Sequence, residues 1–421
     1  MKLLIKQAKV IDTSSPFNGK TIDVLIENGI VVQLSKKINS KADQVISEKG
    51  ICISPGWVDV FANFCEPGFE QKETIQTGAK AAAAGGFTDV FLIPNTKPSI
   101  DNKSQVEYLK HKSKKLPITI HPIGAITKNT DGKELAEMYD MRAAGAVAFS
   151  DGTNSVQSAG LMVKALQYAK AHDGVLIQIP DDKSINPHGL MHESVISTQL
   201  GLPGKPSISE ELMVARDIKL SEYTDSRIHF TGIASKESID RIKKAKKENL
   251  KISCSVTPYH LFYSDENLKD YDSNFKVNPP IRSASDRKAL QKAIMDGTID
   301  CIATHHHPHE KDSKVCEFEY AKFGMTGLET AYGVLKTAMP NISDEKLVEI
   351  FSTNSRKIFN LPAASIKKDA AACITLFHPN KKWNYKIETI QSKSQNSPFI
   401  ENQFTGKIIG IINKQQVFLN K

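Results

Sequence analysis

Apolar and polar residues alternate through residues 1–50, in runs such as LLIKQAKVID and IDVLIENGIVVQL that are separated by turn residues. Because successive side chains of a strand point to opposite faces, this period of two predicts short antiparallel strands. Strand-like runs return after Pro362, in ITLFHP and GKIIGIINKQQVFL, with the polar loop SKSQNSP between them. We therefore predict that residues 1–54 and 364–421 form one small β-sandwich domain.

The pattern changes between residues 55 and 363, where short apolar runs are followed by amphipathic helical stretches, as in βα units. Eight such runs occur: GICISPGWVDVFA, TDVFLIP, ITIHPIGA, AVAFSD, VLIQIP, RIHFTGI, KISCSVTP and DCIATHH. Eight strands with intervening helices predict an α/β fold, a (β/α)8 barrel of the TIM type over residues 55–363. Two further helical segments, GLETAYGVLKTAM and DEKLVEIFSTNSRKIFN, follow the eighth run and are expected to buttress the barrel.

The composition is that of a globular protein. With 421 residues, of which 40% are hydrophobic, the chain can bury a substantial core. No run approaches the roughly 20 apolar residues that cross a bilayer, and the N-terminus lacks the apolar stretch of a secretion signal. The six cysteines are scattered without a CxxC pair, which favours a reducing cytoplasm.

The net charge of +8 raises the question of a nucleic-acid partner. The basic residues are overwhelmingly Lys, however, whereas Arg is preferred for paired contacts with phosphate and guanine. The densest basic run, RIKKAKKENLK from Arg241, lies on a predicted helix, where solvated lysines are the ordinary explanation. We therefore expect neither a nucleic-acid nor a membrane partner.

Polar residues follow most of the predicted barrel strands. In a barrel of this kind the functional face lies at the carboxyl ends of the strands, so these residues are predicted to meet in one site. The segments are FANFCEPG at 61–68, PNT at 94–96, SDGTN at 150–154, QIPDD at 178–182, TGIAS at 231–235, TPYH at 257–260 and THHHPH at 304–309.

These segments also carry a family resemblance. The stretch PGWVDVFANFCEPGFEQKETIQTGAKAAAAGGFTDVFLIPNTKPSID resembles the opening of a class I dihydroorotase of the amidohydrolase superfamily. Later segments agree in the same order: FSDGTNSVQSAGLMVKALQYA, LGLPGKPSISEELMVARDI, NFKVNPPIRSASDRKAL, GTIDCIATHHHPHEKDSK, FGMTGLETA and SKSQNSPF. The resemblance covers essentially the whole chain. It implies metal-assisted interconversion of carbamoyl aspartate and dihydroorotate in pyrimidine biosynthesis, with zinc held by His and carboxylate ligands.

The family's ligand positions are altered in this chain. Its first motif, His-x-His-x-Arg, corresponds to Phe61, Asn63 and Cys65, so both imidazoles are absent. The strand-five His corresponds to Ile179, and the second His of the strand-six motif corresponds to Gly232. Of the ligand positions only Asp151 keeps a ligand-type side chain, so the resemblance implies a degenerate site that holds no metal.

The family's catalytic and substrate-binding positions are altered to different degrees in this chain. The family's catalytic Asp corresponds to His305, which implies that no competent general base is present. The Arg that would pair with the substrate carboxylate corresponds to Cys65. Asn95, Asn278 and His309 stand where the family contacts its substrate, so this pocket is predicted to keep some ligand binding.

Some residues also have two interpretations. His305 and His307 could form a relocated metal site, because imidazoles two residues apart in a strand point to one face; a partly exposed, hydrogen-bonded run is the alternative. Asp181 and Asp182 could act as an acid/base pair, but adjacent side chains usually point apart and Pro180 favours a solvated loop. Cys65 could be a nucleophile, but no base lies near it in sequence, which favours a structural thiol.

The leading functional prediction is a cytoplasmic, non-catalytic dihydroorotase-like protein without a cofactor, structural or regulatory in pyrimidine biosynthesis. It would associate with itself or with aspartate transcarbamoylase, a partner that the resemblance suggests. The alternative is an active dihydroorotase or other zinc-dependent cyclic amidohydrolase with an unusual site. A third hypothesis is a small-molecule sensor that uses Asn95, Asn278 and His309.

Overall fold

The structure is a computed structural model that describes residues 1–420. The strands are β1 Lys2–Val10, β2 Thr21–Glu27, β3 Ile30–Ser35, β4 Gln44–Ser47, β5 Cys52–Pro55, β6 Trp57–Ala62, β7 Phe87–Leu92, β8 Thr119–Gly124, β9 Ala148–Phe149, β10 Val175–Gln178, β11 Met191–His192, β12 Gly204–Lys205, β13 Arg227–Phe230, β14 Ile252–Val256, β15 Cys301–Ile302, β16 Cys373–Asn384, β17 Gln403–Asn413 and β18 Gln416–Leu419. The α-helices are α1 Ile75–Ala84, α2 Lys103–Lys112, α3 Met138–Ala144, α4 Ala159–Lys170, α5 Val195–Leu200, α6 Ile208–Thr224, α7 Lys236–Lys247, α8 Pro258–Phe262, α9 Ala284–Met295, α10 Ala331–Ala338, α11 Asp344–Val348 and α12 Asn354–Ile358.

Eight strands form the predicted parallel barrel, in the order β6-β7-β8-β9-β10-β13-β14-β15. The ends of this sheet approach each other, since Ala62 forms a parallel bridge with His306 and the amide of Asn63 donates to the carbonyl of His306 at 2.9 Å. The eight runs counted in the sequence therefore correspond to eight barrel strands, and the predicted fold class is confirmed. The closure also brings the residues after β6 beside those after β15.

Strands from both ends of the chain form a second sheet, in the order β18-β17-β16-β5-β1-β2-β3, with β4 paired to β1. The C-terminal strand β16 runs antiparallel to β5, and β5 runs parallel to β1. An apolar cluster of its own, which includes Leu3, Val24 and Ile374, stabilises this sheet. Strands from the two ends thus share one sheet, whereas the division into domains at residues 54 and 364 stays a prediction.

Burial on both faces explains why the barrel strands are mostly apolar. All six residues of β6 and all six of β7 are buried. Trp57 lies outside the barrel, stacked on Phe351 with ring centroids 4.7 Å apart, whereas Phe61 and Ile179 belong to the cluster inside it. Because alternate residues of a strand point inward, these two side chains are held at the carboxyl-end layer of the barrel interior.

The observed helices agree with the predicted helical segments, except at the N-terminal end of one segment. The segment KELAEMYDMRAAG was expected to be helical throughout, but α3 begins only at Met138. Leu135 instead forms an antiparallel bridge with Thr127, and this pairing holds the preceding residues extended. The last predicted segment forms α11 and α12, joined by a π-helical turn over Glu349–Thr353. No helix within residues 1–420 has both the length and the apolar character needed to cross a membrane.

Candidate active site

A cavity of about 370 Å³ opens at the carboxyl ends of the barrel strands. This volume lies in the range of sites for small molecules. Segments that follow several different strands supply its walls, as the sequence predicted. The lining residues include Phe61, Asn63, Ile179, Asp181, Lys183, Lys205, Asn278, His305 and His307.

An aromatic pair closes the floor of this cavity. The rings of Phe61 and His305 lie 4.6 Å apart at an angle of 33°, and Phe61 and Ile179 are each only 2% exposed. Gly232 adopts φ of +72°, and a Cβ atom built there would lie 2.5 Å from Cε1 of His305. The ring of His305 therefore occupies space into which a side chain at position 232 would project.

His305 is fixed and uncharged. Its Nε2 atom lies 2.8 Å from the hydroxyl of Thr231, which in turn accepts a hydrogen bond from Ser255. Burial lowers the pKa of His305 to about 3, with a smaller contribution from the nearby His260 and His229. The side chain is thus a neutral imidazole at physiological pH, able to donate or accept one hydrogen bond at each nitrogen according to its tautomer.

The opposite wall carries three polar side chains in mutual contact, which we call the Asp181–Lys205–Asn278 cluster. The ammonium of Lys205 lies 2.6 Å from Oδ2 of Asp181 and 3.0 Å from Oδ1 of Asn278. The predicted solvated loop at Pro180 is wrong for Asp181, which is 4% exposed. The reason is that Lys205, on β12, covers this carboxylate, whereas Asp182 points away and accepts from Ser184.

Asn95 does not line the cavity. Its amide donates to the carbonyl of Asp151 at 3.1 Å and accepts from the amide of Thr153 at 3.0 Å. The carboxylate of Asp151 accepts from the amides of Ile126 and Thr127 and from the Thr127 hydroxyl, at 2.5–2.9 Å. Burial nevertheless raises the pKa of Asp151 to about 6. Both side chains are therefore engaged in holding the loops after the strands.

Cys65 and His309 also lie beside the cavity instead of in its wall. Burial raises the pKa of the Cys65 thiol to about 12, so this side chain is not an activated nucleophile. His309 lies 2.9 Å from the carbonyl of Phe323 through Nε2, and burial lowers its pKa to about 4. Of the four residues predicted for the substrate pocket, the structure thus brings only Asn278 to the cavity wall.

The residues at the family's ligand positions do not fit a zinc ion. Phe61, Ile179 and Gly232 offer no donor atom, and the oxygens of Asp151 are already hydrogen-bonded. Nor does the predicted pair His305 and His307 gain a third ligand. Within residues 1–420, no three His, Cys, Asp or Glu side chains are grouped so that they could hold a metal ion. The geometry of these side chains therefore assigns no catalytic step to a bound metal.

Reasoning from the sequence missed several residues of the site, among them Thr231 and Lys205. Thr231 follows strand six in the segment TGIAS, where no local pattern indicates that its hydroxyl contacts His305. Lys205 lies in the segment LGLPGKPSISEE, where a cation between two prolines was the available signal. Its contact with Asp181 joins residues 24 positions apart, which no local pattern indicates.

Solved structures of other proteins share the fold of this chain. The L-hydantoinase of Arthrobacter aurescens superposes with a TM-score of 0.85 at 20% identity, covering 100% of this chain and 96% of its own. A dihydropyrimidinase from Brevibacillus agri gives a TM-score of 0.84, again at 20% identity, over 100% and 95% of the two chains. At this identity the likeness shows the fold alone, an α/β barrel that both solved proteins share with this chain.

The sequence relatives identify the family. Residues 50–238 match the family described as "Dihydro-orotase-like". The dihydroorotase of Syntrophus aciditrophicus is 37% identical over 97% of each chain, and that of Pelotomaculum thermopropionicum is 41% identical over 95% of this chain and 94% of its own. This chain belongs to the dihydroorotase family.

These relatives overturn two predictions. The prediction of a non-catalytic protein is wrong, because proteins 37–41% identical over nearly the whole chain are named dihydroorotase, which favours an active enzyme. The prediction that no cofactor is needed is wrong on the same finding, since the family's chemistry is metal-assisted. Both predictions equated loss of the family's ligands with loss of its reaction, although other side chains line the same cavity.

Proposed function

We propose that this chain is a cyclic amidohydrolase of the dihydroorotase type with an unusual site, and that dihydroorotate and carbamoyl aspartate are its substrate pair. The observation that carries the proposal is identity of 37–41% with proteins named dihydroorotase over 95–97% of this chain. The matched regions span 95–97% of this chain and so include the barrel, and in such barrels the loops after the strands build the active site.

The charges at the cavity support a small anionic substrate. Lys183 and Lys205 contribute two ammonium groups to the wall, and Asp181 contributes one carboxylate. His305 is neutral because burial lowers its pKa to about 3. The balance is therefore positive, which favours a ligand that carries a carboxylate.

Neutral groups at the floor can take part in hydrolysis of an amide. An imidazole such as His305 can hydrogen-bond to a carbonyl oxygen or to an attacking water, and Thr231 fixes its orientation. Asn63 and Asn278 line the same cavity and offer amide groups that can orient a substrate carbonyl. These side chains define where a cyclic amide would lie, between the Phe61 floor and the opposite wall.

The test is turnover by the full chain, produced in a host that lacks a dihydroorotase of its own. Carbamoyl aspartate formation from dihydroorotate, and the reverse cyclisation, would be followed with chelator and with added zinc, beside elemental analysis by mass spectrometry. We expect turnover in at least one direction. Absence of turnover in both directions under every metal condition, from a protein that unfolds cooperatively on heating, would contradict the proposal.

Location and partners belong to the same proposal. A cytoplasmic location is supported by the six cysteines, all of which are free thiols. Self-association and a complex with aspartate transcarbamoylase stay predictions. Size-exclusion chromatography with light scattering, on the chain alone and mixed with that enzyme, checks both.

A further inference from the structure

The Asp181–Lys205–Asn278 cluster is an ion pair placed in the wall of a ligand-sized cavity. The side chains of Lys205 and Asp181 are 13% and 6% exposed, so the pair is largely withdrawn from water. Three contacts tie the cluster together: Lys205 to Asp181, Lys205 to Asn278, and Asn278 to Asp181 at 3.3 Å. All three residues line the cavity described above.

One acceptor atom of Asp181 and one N–H donor of Lys205 are not used by the hydrogen bonds within this cluster. Oδ1 of Asp181 is buried and finds no hydrogen-bond partner among residues 1–420. A lysine ammonium has three donors, and Lys205 uses two of them on Asp181 and Asn278. A buried carboxylate oxygen without a donor carries a desolvation penalty, which a ligand that supplies an N–H group to this oxygen would relieve.

We propose that this cluster is the element that recognises the substrate, with Lys205 binding its carboxylate and Oδ1 of Asp181 accepting an N–H of the cyclic amide. The ligand class is a small ring that carries an amide N–H beside a carboxylate; its identification as dihydroorotate rests on the proposed function. Asn278 holds the ammonium in place through its own oxygen. The recognising cation thus comes from β12 and not from the segment after β6, where Cys65 stands.

The neighbouring charges agree with this assignment. Lys183 also lines the cavity but is exposed, so its interaction with a ligand is screened by water. The Lys205 ammonium is largely buried, and charge-assisted hydrogen bonds are strongest in such surroundings. Lys205 should therefore dominate affinity for the carboxylate.

Titration calorimetry on the full chain measures this directly, with two probes that differ only by the carboxylate: dihydroorotate and dihydrouracil. Lys205→Met is expected to weaken dihydroorotate binding by roughly tenfold or more, while changing dihydrouracil binding much less. The double variant Asp181→Asn with Lys205→Met removes both charges, so that no unpaired charge stays buried. It should lose dihydroorotate affinity as well.

A matched control exists at the other end of the barrel. Lys246 and Asp300 form a similar half-buried pair at 2.5 Å, beside the start of β15 and away from the cavity. Lys246→Met should leave dihydroorotate binding unchanged. Thermal unfolding of each variant verifies that the chain is folded under the conditions of the titration.

The outcomes separate this inference from the proposed function. Binding that depends on Lys205 without any turnover would support the inference and contradict the function. Turnover and binding that Lys205→Met leaves within about twofold would support the function and overturn the inference. Equal losses for both probes, or no binding of dihydroorotate by the unaltered chain, would also overturn it.

Discussion

Substitution of Gly232 tests whether His305 fills the floor of the cavity. In Gly232→Ala the new Cβ would lie 2.5 Å from Cε1 of His305 and 3.2 Å from Cδ of Pro279. The His305 ring cannot move away without loss of its contact with the Phe61 ring and its hydrogen bond to Thr231. The alanine must also adopt φ of +72°, which is strained for any residue with a Cβ.

A matched glycine separates the cost of the backbone strain from the cost of the steric overlap with His305. Gly201 ends α5 with φ of +65°, and apart from its chain neighbours no atom of the described chain lies within 4 Å of a Cβ built there. Gly201→Ala should therefore lose only the conformational term, roughly 1–2 kcal/mol of unfolding free energy. Gly232→Ala should lose this and the overpacking term, about 1–3 kcal/mol more.

Urea unfolding followed by circular dichroism measures both variants, together with His305→Ala and the double variant Gly232→Ala with His305→Ala. Because His305→Ala removes the overlapping ring, the double variant should be more stable than the sum of the single losses predicts, by about 1–3 kcal/mol. Additivity within about 0.5 kcal/mol, or equal losses in Gly232→Ala and Gly201→Ala, would refute the packing argument.

Three further predictions follow from burial. Burial lowers the pKa of His229 to about 3, so the folded chain resists protonating it while the unfolded chain binds a proton below about 6.5. The free energy of unfolding should therefore fall as pH drops through this range. His229→Gln should be less stable than the unaltered chain at pH 7, but its unfolding temperature should fall less between pH 7 and pH 5. Trp57→Ala should cost about 3–5 kcal/mol in urea unfolding, because Trp57 is fully buried, whereas Tyr320→Ala, 76% exposed, should change stability by less than about 0.5 kcal/mol. Iodoacetamide at pH 8 should label the half-buried Cys316 before Cys65, whose pKa is raised to about 12, and peptide mass spectrometry giving the reverse order would contradict the structure.

The family relationship and the altered ligand positions were both visible in the sequence. The family relationship is the better guide to whether the chain is an enzyme. Phe61, Ile179 and Gly232 offer no donor atom at the family's ligand positions, and the ring of His305 occupies the space beside Gly232. The step from an altered position to an absent reaction was the error. What a cavity can bind depends on all the side chains that line it, including those contributed by other segments.

The sequence by itself determined the barrel and the location of its mouth. Short apolar runs that alternate with amphipathic helical stretches are typical of parallel strands buried on both faces. Because parallel strands share one direction, the segments that follow them then lie at one end of the barrel. Periodicity also predicted that both termini form strands of one unit, and β5 and β16 pair accordingly. These features depend on local pattern, which a sequence displays directly.

Only the tertiary structure decided which side chains meet in the cavity. Lys205 reaches Asp181 and Asn278 across 24 and 73 residues, and the overlap at Gly232 with His305 joins segments after β13 and β15. Asn95, Cys65 and His309 also follow barrel strands, but their side chains contact backbone carbonyls instead of lining the cavity. The direction of a side chain at a strand end depends on packing between loops that are distant in sequence, and no local periodicity determines that packing.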